Sequence, residues 1–147
     1  MNIYFVCTGN TCRSPMAEAI LRSREIEGVT VKSAGVHAVE GGSISTHARS
    51  LIEENELPYT PTSRIVRAEE IDWATYVLTM TTGHRDMLHM LYPEAAHKIQ
   101  TLKQFAGEDN PNVQDPFGGT RRTYEATYEE LERVIDRVVE RLKEETL

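Results

Sequence analysis

Cysteine, tryptophan and positive charge are all scarce in this 147-residue chain: two Cys, one Trp, and 16 Lys plus Arg against 23 Asp plus Glu. Two cysteines cannot staple a small secreted fold, and none is needed, since a chain of this length buries about two-thirds of its unfolded surface on its own. A formal net charge of −7 argues against a general binder of nucleic acid or anionic membrane, both of which need a positive face. It leaves room for one small, locally positive anion site. No run approaches the roughly 18 apolar residues of a membrane span, and the first apolar run is short and lacks the basic leader of a secretory signal. Internal repeats, low-complexity segments and linkers are missing too. What remains is ordinary for a soluble protein: 39% hydrophobic and 27% charged residues. These proportions predict one domain over residues 1–147, in a reducing cytoplasm, with a chemical role for the two thiols.

Buried strands alternate with helices along the chain. Asn2–Val6, Val29–Ala34, Thr75–Met80 and Lys98–Leu102 read as strands, β-branched and aromatic with little polar alternation. Ser14-Pro15 reads as a helix start, serine as N-cap and proline at the first position, with the helix running to about Glu27 before Gly28. Further helices are predicted over Thr46–Asn55, Ala68–Trp73 and Gly83–Tyr92, with loop over Gly107–Gly119. From Thr123 to the end, Tyr124, Tyr128, Leu131, Ile135, Val138 and Leu142 recur at three- and four-residue steps, one apolar stripe on a long helix. The pattern is α/β, a parallel sheet with helices on both faces. In such sheets ligands bind at the carboxyl ends of strands, which is where Cys7 falls.

Both cysteines lie in Cys7-Thr8-Gly9-Asn10-Thr11-Cys12-Arg13-Ser14-Pro15, between the first strand and the first helix. Gly9 and Asn10 tolerate positive φ, so the loop can turn its successive N–H groups into one concavity. The helix behind adds partial positive charge, and the result is an anion cradle. Arg13 brings a planar guanidinium suited to bidentate contact with phosphate. Cys7 on the rim is expected to have a depressed pKa and to stand as a thiolate, a nucleophile aimed at a bound phosphorus. Ser14 is read both as cap and as a hydroxyl donor to that sulfur. An inert core cysteine leaves Arg13 and Gly9-Asn10 unexplained. A zinc site is disfavoured, since no second ligand pair has metal-type spacing, and the Gly-Lys-Ser/Thr pattern of a nucleotide-binding loop is absent. No metal or organic cofactor is called for.

A thiolate phosphatase also needs an acid for its leaving group. Asp115, in Gln114-Asp115-Pro116-Phe117-Gly118-Gly119, is the candidate: proline stiffens the segment and the glycines let it fold over a site. An isolated Asp-Pro is more often only a turn, and it is the Cys7 cradle that gives this one an acid's role.

Together these residues resemble the low-molecular-weight protein tyrosine phosphatase family over the whole chain, including Ser33-Ala34-Gly35 after the second strand. The resemblance implies a four-stranded parallel sheet in the order 2-1-3-4. It implies Cys7 as nucleophile and Arg13 as phosphate clamp, within a phosphate-binding loop of Thr8, Gly9, Asn10, Thr11, Cys12, Arg13 and Ser14. Ser14 would stabilise the thiolate, and Asn10 would support the loop by bonding Ser33. Asp115 would act as general acid, then as base. Cys12 would form a reversible disulfide with Cys7, a redox partner guarding against over-oxidation. Phosphorylated proteins are the implied partners of a monomer.

Two departures bear on substrate. Tyrosine-specific members usually carry a bulky aliphatic residue where Thr11 stands and an aromatic where Gly118 stands, leaving Phe117 as the remaining wall here. This pattern resembles the bacterial protein arginine phosphatases. A histidine often found before a Ser/Ala-Arg step is also absent near Thr62-Ser63-Arg64. Phosphoarginine hydrolysis is therefore the leading expectation. Phosphotyrosine hydrolysis, arsenate reduction and phospho-residue binding without turnover are the alternatives. His37, His47, His84, His89 and His97 are scattered and read as surface or satisfied structural residues. Tyr92, Tyr124 and Tyr128 read as packing residues, and the acidic residues late in the last helix as a solvated face.

Overall fold

The computed structural model describes residues 1–145. Its sheet has four parallel strands: β1 (Asn2–Cys7), β2 (Thr30–Gly35), β3 (Tyr76–Thr79) and β4 (Ile99–Thr101), in the order β2-β1-β3-β4. Six helices accompany them: α1 (Arg13–Ser23), α2 (Thr46–Glu54), α3 (Ala68–Trp73), α4 (Thr82–Leu91), α5 (Leu102–Phe105) and α6 (Arg121–Glu145). The order 2-1-3-4 is the one the family resemblance implies.

The central strand β1 explains why its sequence shows no alternation. Ile3, Phe5 and Cys7 point to one face, where they join Met16, Ile20, Leu131, Ile135 and Val138 of α1 and α6. Tyr4 and Val6 point to the other and join Ile71 of α3 and Leu88 of α4. With both faces covered, every position from Ile3 to Cys7 is apolar. The α6 stripe is completely buried, Leu131, Val134, Ile135, Val138 and Leu142 each at 0% exposure. Each such side chain contributes roughly 1.5–3 kcal/mol of transfer free energy. The stripe therefore clamps α6 over α1 and, through α1, holds the end of the loop from Cys7.

The element ends differ from expectation for local reasons. α1 begins at Arg13 with Cys12 at the cap position, and no side chain caps it; Ser14 is inside the helix, so its predicted capping role is replaced by other bonds. The helix stops at Ser23 rather than Glu27, with Glu25 at φ 48. β2 starts at Thr30, β3 spans Tyr76–Thr79, and β4 is trimmed to Ile99–Thr101 because Pro93–Lys98 forms a 3₁₀ turn. α2 stops at Glu54, one residue short, while α4 runs Thr82–Leu91, one residue N-terminal of expectation. α5 was not anticipated within the run into Gly107. Thr101 and Gln104 form a reciprocal capping box that starts it. α6 begins at Arg121, and the last two residues of the expected terminal helix lie outside the described ones. No helix among the described residues is long and apolar enough to cross a membrane.

Candidate active site

β1 ends at Cys7, in register with Gly35 of β2, and the chain then turns beneath the start of α1. Asn10 makes the turn with φ 55. Its side chain, 1% exposed, is fully used: Nδ2 donates to Ser14 Oγ (2.8 Å) and Ser33 Oγ (2.9 Å), and Oδ1 accepts the Arg64 backbone N–H (2.9 Å). The predicted Asn10–Ser33 bond is thus present. Arg64 is itself tied down by the buried Glu18 carboxylate (2.9 Å), which also receives Arg22 (3.2 Å) and the Thr60 hydroxyl (2.9 Å). The segment around Ser63 therefore supports the loop through a backbone amide, without the histidine the family pattern often carries there. Gly35 backs the loop so closely that a Cβ would sit 2.4 Å from Thr8 O and 2.7 Å from Asn10 N. No side chain fits there.

Cys7 Sγ lies 2.8 Å from Ser14 Oγ. That oxygen accepts from Asn10, and its own proton faces two acceptors, the sulfur at 2.8 Å and Ala34 O at 3.4 Å, the sulfur being the nearer. Burial is the largest influence on the Cys7 thiol and pushes it above its ordinary value; Ser14, Arg13 and the Asn10 backbone pull it back. The direction departs from the depressed value expected of the motif, because Cys7, 3% exposed, has given up most of its hydration.

Arg13 is buried and donates through Nη1 to Val113 O (3.1 Å), while its Nη2 stands 3.5 Å from Asp115 Oδ2. The guanidinium thus joins the loop to the Asp115 segment. Asp115 is half exposed, and its Oδ1 accepts the Phe117 N–H (3.0 Å), a bond that shapes the turn. Phe117 is 77% exposed. Cys7, Thr8, Thr11, Arg13, Asp115 and Phe117 all line one cavity of about 660 Å³, as do Gly9 and Cys12. Every predicted site residue other than the supports Asn10, Ser14 and Ser33 borders that space, and those three lie directly behind it.

Three residues read in the sequence only as packing or structural reach this neighbourhood. Tyr124 is in the apolar stripe, yet its hydroxyl lies 3.3 Å from Cys12 Sγ. Cys12 is further contacted by Ser45 and Thr11 hydroxyls at 3.6 Å each, and both cysteines are free. His84 is a satisfied buried histidine, as expected, but its partners are Thr8 and Thr81. His37 lines the cavity. Helical period reports which face is buried and is silent on where a hydroxyl or ring nitrogen ends, so only an isolated histidine near a helix start could have hinted at His84.

A cysteine cupped by a loop at a strand's carboxyl end, a buried arginine six residues on, and a half-exposed carboxylate on the same cavity form a site suited to a phosphate group on a doubly wound sheet. The chain belongs to the low molecular weight phosphotyrosine protein phosphatase family, whose pattern matches residues 2–147, and is a cysteine-dependent protein phosphatase. It is similar to a protein-arginine-phosphatase of Geobacillus stearothermophilus, 50% identical over 124 residues and 84% of each chain. A low molecular weight protein-tyrosine-phosphatase of Staphylococcus epidermidis is 39% identical over 86% of this chain and 88% of its own. Among solved structures, a cysteine-to-serine mutant of an arginine phosphatase with a phosphorylated active-site serine superposes with a TM-score of 0.93. That structure is 38% identical, covering 97% of this chain and 96% of the other.

Proposed function

We propose that this phosphatase hydrolyses phosphoarginine in proteins through a cysteinyl-phosphate intermediate. Cys7 Sγ, as the thiolate, attacks phosphorus while the loop amides and Arg13 hold the equatorial oxygens. The P–N bond breaks and Asp115 delivers a proton to the departing guanidine nitrogen. Asp115, now a carboxylate, takes a proton from water, whose oxygen attacks the phosphocysteine. The S–P bond breaks, the thiolate returns, and inorganic phosphate leaves. A related protein trapped with phosphate on its active-site serine supports this covalent route.

The observation that carries the arginine preference is Thr11 on the cavity wall. A guanidinium buried against an aliphatic side chain leaves N–H donors unpaired, at roughly 1–3 kcal/mol each. Thr11 removes that bulk and adds a hydroxyl, and Asp115 can accept from the remaining N–H groups. Beside the Asp115 segment a phenyl ring has Phe117 to stack on, and Gly118 supplies no second wall there. Ten- to hundredfold discrimination needs about 1.4–2.8 kcal/mol. The 50% identity to an arginine phosphatase points the same way.

Phosphotyrosine hydrolysis is the second reading, favoured by the tyrosine phosphatase relative and by the exposed Phe117 ring. Steady-state rates on matched phosphoarginine and phosphotyrosine peptides, with Cys7→Ala as the blank, decide between them. A higher kcat/KM on phosphotyrosine defeats the arginine assignment. Thr11→Ile should raise the phosphotyrosine-to-phosphoarginine ratio about tenfold; an unchanged ratio removes Thr11 as the filter. On this reading the protein is a bacterial, cytoplasmic monomer folding as one domain over 1–147. Its partners are phosphorylated proteins rather than nucleic acid or membrane, and Cys12 closes a protective disulfide with Cys7 under oxidation. Arg13, Gly9 and the other loop residues bind phosphate.

A further inference from the structure

His84 is the third residue of α4, remote in sequence from the loop, yet its ring bridges two hydroxyls. Nε2 lies 2.8 Å from Thr8 Oγ1 and Nδ1 lies 3.0 Å from Thr81 Oγ1. Thr8 follows the nucleophile directly and lines the cavity. Its carbonyl is fixed separately, accepting the His37 N–H at 2.9 Å.

Thr81 Oγ1 accepts the His84 backbone N–H (3.2 Å) and has a proton and a second lone pair left to meet Nδ1. In the tautomer with the ring proton on Nε2, Thr81 donates to Nδ1 and Nε2 donates to Thr8 Oγ1, which frees the Thr8 proton to turn into the cavity. The ring is only 7% exposed, and burial followed by the nearby Arg13 cation holds it down to about 4, with Asp115 opposing and His37 adding to the effect. It is uncharged at neutral pH, so this assignment applies under working conditions.

We propose that His84 is a positioning residue of the phosphate loop: it holds Thr8 through a hydrogen bond so that the Thr8 hydroxyl donates to an oxygen of the bound phosphoryl group. The inference rests on the phosphatase chemistry and not on the arginine preference. It makes His84 and Thr8 one device, whose halves are worth nothing separately.

The test uses hydrolysis of p-nitrophenyl phosphate, with inorganic phosphate and vanadate as competitive inhibitors. His84→Phe and Thr8→Val should each raise Ki for both inhibitors about tenfold and raise KM more than they lower kcat. The double variant should be no worse than either single one, a coupling near 1.4 kcal/mol. His84→Gln, whose amide can donate to Thr8, should recover to within about threefold in the wild-type background and change nothing in Thr8→Val. Should His84→Phe fail to fold, the Gln and Thr8→Val pair and their combination carry the comparison. Unchanged Ki in Thr8→Val overturns the proposal, as do losses that multiply in the double variant, since a purely structural histidine gives that result. Failure on phosphoarginine peptides with these couplings intact would defeat the substrate reading alone.

Discussion

Replacing Asn10 by alanine removes three buried hydrogen bonds at once and leaves Arg64 N–H, Ser33 Oγ and Ser14 Oγ each short of a partner. Unsatisfied buried groups cost about 1–3 kcal/mol each, and groups sharing one site lose less than the sum, so the bonds account for about 3–5 kcal/mol. A second cost is conformational. At φ 55 alanine's Cβ meets the following carbonyl, adding roughly 1 kcal/mol or more. Asn10→Gly abolishes the same bonds without that strain. Alanine should therefore lie below glycine by about 1 kcal/mol, and glycine below wild type by the larger share. For a chain of this size each kcal/mol is roughly 2–4 °C in Tm, which predicts a fall on the order of 10–20 °C for Asn10→Ala. Urea unfolding of the three proteins, with inorganic phosphate affinity measured on each, checks both parts. Both variants within 1 kcal/mol of wild type would falsify the claim that these bonds seat the loop, and alanine more stable than glycine would sink the strain argument.

Ser14→Ala removes one of the groups pulling the Cys7 thiol down, so the pH midpoint of Cys7 alkylation by iodoacetamide should move upward; no movement, or a downward one, refutes the Ser14 contact as a thiolate support. Gly35→Ala puts a Cβ into the backbone of Thr8 and Asn10 and should weaken inorganic phosphate binding more than tenfold, whereas full affinity in a calorimetric titration shows the loop can step aside. His84 ties stability to pH. Its folded value of about 4 lies below the usual 6.5, so between these pH values the unfolded chain binds the extra proton; the stabilisation is complete above 6.5 and drains away as pH falls toward 4. The full effect is at most about 3 kcal/mol. Denaturation from pH 4 to 7 should show a flatter profile for His84→Gln, and parallel curves would rule the histidine out as the source.

Much of the fold could be read from β1 and α6. An unbroken apolar run such as Ile3–Val6 announces cover on both faces, and a stripe at three- and four-residue steps announces one buried helix face. The catalytic loop was legible for a different reason: phosphate needs amides and a guanidinium at one place, and a single strand–loop–helix unit supplies them locally in sequence. Thr11 and Gly118 were visible through their contrast with the family pattern, and Asp115 through its place beside the Cys7 cradle in that pattern. The reach of long side chains was not visible. Glu18, Arg64 and Asn10 are 8 to 54 positions apart and meet only when α1 and the Ser63 segment close around the loop. Tyr124 and His84 likewise carry polar ends toward the site on elements that composition marks only as packing.

The sequence by itself determined the layered α/β order and the loop that brings cysteine and arginine together at a strand end, because each follows from local periodicity or from a contiguous motif. Tertiary structure decided that Ser14 serves the sulfur instead of a helix cap, that Gly35 must be bare, and that burial works against the Cys7 anion. Each of those depends on which distant groups exclude water and volume from the same few ångströms, and separation along the chain carries no record of that.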